Sequence, residues 1–162
     1  MIAKRWFAVG VGVLLACSSG GRAALAQPPA DADLDKLQSR VGVFLEGVSR
    51  GTTKTAYDQL LAGSALLKQT EAVESLVRKT DELKDRYGRY VEFEPIASRR
   101  VGKDLVLLRY LYKCERFPVV FYFTFYRTPR TDAPADKTGN WRVIIVRFDT
   151  ELELLALMPE AK

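Results

Sequence analysis

At Gly88 the apolar residues of this chain change period, and that change limits the architecture more than any other feature. On the N-terminal side, Leu34, Leu37, Val41, Phe44, Leu45 and Val48 recur at spacings of three and four, the stripe of an amphipathic helix over about 33–50. On the C-terminal side, Tyr90-Val91-Glu92-Phe93-Glu94 opens a series of alternating segments, and a period of two belongs to strands. Helices gathered at one end and strands at the other predict an α+β domain, with N-terminal helices packed on an antiparallel sheet of four to five strands.

Local signals set the remaining elements. Gly51 suits the left-handed stop after the first helix, and Thr52 or Thr53 suits the N-cap of a short helix at about 54–62 carrying Ala56, Tyr57, Leu60 and Leu61. Past Gly63-Ser64 a third helix is predicted from about 65 to 87, with Val73, Leu76, Val77, Thr80, Leu83 and Tyr87 along one side. Glu74 with Arg78 and Glu82 with Arg86 are i,i+4 pairs in the favourable order, worth roughly 0.3–0.5 kcal/mol each. Strands follow at about 90–100, 105–114, 118–127 and 141–148. Gly102-Lys103-Asp104 makes the first turn, and Thr128 to Gly139 reads as an exposed hairpin tip. Leu152 to Leu157 fits either a fifth short strand or a final helical turn.

Several strands are apolar on both faces. Val106, Leu108, Tyr110 and Tyr112 share one face of the second strand, and Leu105, Leu107 and Leu111 share the other. On the third, Phe121, Phe123 and Phe125 oppose Tyr122 and Tyr126. A sheet covered by helices on one side only would carry polar residues on the other. The second face, read as the one that carries Val106, Leu108, Tyr110 and Tyr112, therefore requires cover of its own, from strong curvature, a ligand or a second subunit. The expectation is a homodimer or a protein partner on the sheet face. Tyr57, Tyr110, Tyr112 and Tyr122 are the candidate ligand-binding residues, lining a pocket or that face.

The first 26 residues read as an export signal. Lys4 and Arg5 form a positive start, Trp6 to Ala16 an apolar run, and Ala24-Leu25-Ala26 a small-x-small cleavage pattern. The apolar run is shorter than the about 20 residues a spanning helix needs. Leu14-Leu15-Ala16-Cys17 also fits a lipobox, with Cys17 as the lipidated N-terminus and Ser18-Ser19-Gly20-Gly21 as tether. Both routes imply export, to the periplasm or outside the cell, and attachment to a membrane only through lipidated Cys17. The division is then a signal at 1–26, a Pro-containing lead-in at 27–32, one domain at 33–157 and a tail at 158–162.

Charge and missing residue types exclude several functions. Lys4, Arg5 and Arg22 are three of 25 basic residues against 20 acidic, so removing the signal lowers the net charge from +5 to +2. A domain so near neutrality lacks the dense basic face that nucleic acid demands. Cys114 is the single cysteine left after cleavage at Ala26, which rules out an internal disulfide. The chain has no histidine, which removes Ser-His-Asp and Cys-His machinery and any His-ligated metal. Asp149, Glu151 and Glu153 would share one strand face, but calcium needs six to eight converging oxygens, so they read as a solvated edge. No catalytic residue, metal site or cofactor is assigned. Glu92 and Glu94 read as cross-strand partners of Arg99 and Arg100.

Thr55-Ala56-Tyr57-Asp58-Gln59-Leu60-Leu61 after the first helix, Tyr87-Gly88 before the first strand and the closing Asn140-Trp141-Arg142-Val143 resemble the nuclear transport factor 2-like superfamily, also called the cystatin-like cone. The resemblance covers about 33–157 and is greatest to small exported bacterial members of uncharacterised function. It implies a curved, cone-shaped sheet. It also implies either a binding module or an enzyme of isomerase type that uses tyrosines and carboxylic acids inside the cone, for which Tyr57, Asp58, Tyr110 and Tyr112 are the residues at hand. The expected function is an exported, non-catalytic domain binding a small apolar ligand or a protein partner. The alternatives are a His-free isomerase or lyase and a structural accessory subunit of the cell envelope.

Overall fold

The computed structural model describes residues 32–128 and 140–152. The export signal, Cys17, all of the lead-in but Ala32, most of the predicted hairpin tip and the segment beyond Leu152 lie outside the described residues. Helices α1 (Ala32–Ser49) and α2 (Thr53–Leu60), a short 3₁₀ turn (Ala65–Lys68), and helices α3 (Thr70–Asp81) and α4 (Leu83–Tyr87) precede the sheet. The strands are β1 (Tyr90–Val101), β2 (Leu105–Cys114), β3 (Val119–Arg127) and β4 (Trp141–Asp149), antiparallel throughout and ordered β1-β2-β3-β4.

The expected cone does not form. The sheet is an open meander, neither curled nor closed, and β1 and β4 are its two separate edges. One face is buried under the helices, and the second is only partly covered by its own side chains, with Tyr126 and Ile145 left exposed.

The α1 stripe buries Leu37, Val41, Phe44, Leu45 and Val48 as its spacing requires. Phe44 sits at the centre, edge-on to Tyr57 at 4.8 Å, Phe123 at 5.6 Å and Phe121 at 6.1 Å, so one ring ties α1 to α2 and to β3. Val106, Leu108, Tyr110 and Tyr112 of β2 point to this same side, as do Phe121, Phe123 and Phe125 of β3 and Trp141, Val143 and Val146 of β4. Ser64 locks the helical layer to the sheet: its hydroxyl accepts from the Leu66 amide at 3.1 Å and donates to the Val143 carbonyl at 2.5 Å.

The long third helix is broken in three. Thr80 donates its hydroxyl to the Leu76 carbonyl at 2.8 Å, a back-bond that competes with helix continuation, and α3 ends one residue later. Thr52 is the N-cap of α2 as predicted, but its side chain makes no capping bond. Thr52 donates to the Gly47 carbonyl at 2.9 Å, and Thr53 donates to the Asp81 carboxylate, tethering α2 to α3. Of the two predicted helical pairs, Glu82 and Arg86 meet at 2.7 Å, while among the described residues no ion pair joins Glu74 to Arg78. Glu92 and Glu94 are partners of Lys113, at 2.7 and 3.2 Å, rather than of Arg99 and Arg100, because the register sets Glu92 opposite Lys113.

Candidate functional site

Helix ends and strand ends converge at one margin of the domain and leave a cleft of about 340 Å³. The C-terminus of α1 supplies Val48 to Gly51, and the start of α2 supplies Thr53. Thr80, Asp81, Leu83 and Lys84 come from the α3–α4 junction, and Tyr90, Tyr112 and Cys114 from the neighbouring ends of β1 and β2. Local geometry creates this junction. Gly51 turns out of α1 at a φ of 76° and Gly88 turns into β1 at 92°, both in the region glycine favours. Gly88 is also hemmed in, since a Cβ there would come within 3.0 Å of Glu115.

The wall of the cleft is polar on the helical side and aromatic on the sheet side. Thr53 and Thr80 are both buried, with their hydroxyls bonded to Asp81 and Leu76. Tyr112 is buried against Tyr90, ring centres 4.8 Å apart, and against Phe121 at 5.6 Å. Burial raises the phenol pKa of Tyr112 above its ordinary value, with nearby Cys114 and Tyr90 adding to it. Burial likewise pushes the half-buried Cys114 thiol up, which disfavours the nucleophilic thiolate. At the rim, Arg89 is paired to Glu115 at 2.8 Å and Arg50 to Glu46 at 3.1 Å.

The four candidate tyrosines do not converge. Tyr112 lines the cleft. Tyr57 is fully buried behind it, 2.9 Å from the Thr80 hydroxyl. Thr80 has already given its one proton to Leu76, so Tyr57 is the donor. Burial, with the charge of Asp81 nearby, pushes the Tyr57 pKa up to about 12. Tyr110 is a core residue whose hydroxyl donates to the Gln38 carbonyl at 3.4 Å, and burial raises it to about 12 as well. Tyr122 stands on the opposite face of the sheet. Asp58, the carboxylic acid beside Tyr57 in sequence, is exposed and paired with Lys54 at 3.0 Å.

The sequence reading missed Thr53, Thr80 and Asp81, which link the helices at the cleft. Thr80 was visible only as the polar position in an otherwise apolar helical stripe. Among the described residues, no group of three or more acidic or cysteine side chains is placed to hold a metal ion, and no helix is long and apolar enough to cross a membrane. No protein-family model, curated protein or solved structure matches this chain.

Proposed function

We propose that this is an exported, non-catalytic binding domain that takes a small, largely apolar ligand in the cleft between the α3–α4 junction and the Tyr112 end of the sheet. The observation that carries this reading is the cleft's mixed lining: Tyr112, Leu83 and Val48 offer apolar surface, and Thr53, Thr80 and Asp81 offer fixed polar groups beside it. Small-molecule sites combine a concave apolar surface with polar groups that orient the ligand. The protonation of the site favours binding over catalysis. Tyr57 and Tyr112 hold their protons at neutral pH, Cys114 is held as a thiol, and the chain has no histidine to activate any of them.

The nuclear transport factor 2-like kinship is supported by the sequence cues and by the helix-before-sheet order alone. A sheet-face partner has less support than the sequence suggested, because Tyr110, Tyr112 and Tyr122 are all covered within one chain.

Amide chemical-shift mapping against a library of small apolar fragments tests the proposal. Shifts gathered on Thr53, Thr80, Tyr90, Tyr112 and Cys114, and abolished by Cys114→Trp, are expected. Fragments that leave this set unmoved while perturbing other surfaces would overturn it.

A further inference from the structure

The face of the sheet turned away from the helices carries a second site. On this face of β3, Tyr122, Thr124 and Tyr126 succeed one another, so a small residue stands between two large ones. Leu107 of β2 and Ile145 of β4 flank Thr124 in the same cross-strand row. The result is a pit of about 330 Å³, whose lining includes Leu107, Thr124 and Ile145 with Arg109, Tyr122 and Arg147 along one side. Ile145 is 47% exposed and Tyr126 39%, so apolar surface remains in contact with water around the pit.

The charges at the pit are preset. Arg109, Tyr122 and Arg147 form a single cross-strand row, one residue from each of β2, β3 and β4. Both guanidinium groups lie against the Tyr122 ring, at 5.2 and 4.4 Å from its centre, and Tyr122 as a whole is 7% exposed. Arg99 of β1 stands opposite Leu107, next to the pit. None of Arg99, Arg109 and Arg147 has a carboxylate within ion-pair distance among the described residues, whereas Lys113 on the same face is shared by Glu92 and Glu94. Unpaired guanidinium groups held on a ring have already lost much of the rotamer freedom that binding would otherwise cost.

We propose that this pit binds a small organic anion with a ring-sized apolar body, an aryl carboxylate or sulfonate. The body rests on Leu107, Thr124 and Ile145, and the acidic group meets the Arg109 and Arg147 side, with Arg99 adding attraction from β1. Three arginines outnumber the Asp149 carboxylate that accepts from the Tyr122 hydroxyl, which selects an anion, and the volume of about 330 Å³ suits a compact body over an extended chain. The site is separate from the helical cleft and stands whether or not that cleft binds a ligand.

Fluorescence titration with anilinonaphthalene sulfonate, beside the neutral N-phenylnaphthylamine, tests it. The sulfonate should bind the full chain with an affinity that falls as salt is raised. Arg147→Gln and Arg109→Ala should each weaken it about ten-fold, and Thr124→Phe, which fills the pit, should abolish it with the thermal melt preserved. Arg50→Ala and Arg89→Ala at the helical cleft should leave it unchanged. Binding that survives Thr124→Phe, binding lost only in the cleft variants, equal binding of the neutral probe, or no binding at all would each overturn the proposal.

Discussion

The tyrosines on the two faces of the sheet are shielded from water by different means. On the helical side, Tyr110 and Tyr112 are covered by packing, with Phe123 edge-on to Tyr110 at 6.1 Å and Phe121 edge-on to Tyr112 at 5.6 Å. On the far side, Tyr122 is covered by two arginines laid across its ring. Packing removes apolar area from water for good and shapes a core. An arginine lid uses its aliphatic stem and planar head to cover a ring while keeping its charge in water. An aromatic strand face is therefore no sufficient sign of an interface, since long cations in the same cross-strand row can shield it within one chain.

The widest gap between the faces should appear in core deletions. Phe44→Ala removes the ring that joins α1, α2 and β3 and should cost about 3–5 kcal/mol, while Tyr122→Ala should cost well under half as much. Urea denaturation of the two variants measures both, and equal losses would erase the distinction.

A difference in pH dependence comes next. An unfolded tyrosine releases its proton near about pH 10, whereas Tyr57 in the fold holds it to about 12. The folded state therefore binds more protons over that interval. The stability linked to Tyr57 is complete below about pH 10 and is lost as the pH rises towards 12. Tyr57→Phe should flatten this alkaline fall in urea midpoints taken at rising pH, and an unchanged slope would show that the burial of Tyr57 does not govern it.

Smaller effects are expected on the open face. Arg147→Ala should destabilise by about 0.5–1 kcal/mol, the worth of an exposed cation–π contact, and less at high salt. Lys113→Ala, which breaks exposed pairs with Glu92 and Glu94, should move the midpoint of the same urea assay least of all.

Element type was legible where one periodicity ran unopposed. The α1 stripe and the alternation of β2, over Leu105–Cys114, appear in the structure as their patterns predict. Side-chain hydrogen bonding was less legible. Thr52 and Thr53 each spend a hydroxyl on a partner that helical spacing does not reveal, and Thr80 back-bonds to the carbonyl four residues earlier just before α3 ends. The cleft was hidden for the same reason, being built from helix termini rather than from a motif. The openness of the sheet could not be read either. Alternation shows that two faces are apolar, but it does not show that Arg109 and Arg147 share a row with Tyr122, which only the register supplies.

Tyrosine nitration mapped by mass spectrometry, with the fold followed by circular dichroism, bears most directly on the difference between the faces. In the native protein Tyr110, Tyr112 and Tyr122 should all resist modification. In an Arg109→Ala, Arg147→Ala double variant that stays folded, Tyr122 should become reactive while Tyr110 and Tyr112 remain protected until global unfolding. A Tyr122 that stays protected without its two arginines, or a Tyr112 that reacts in the native protein, would contradict the account.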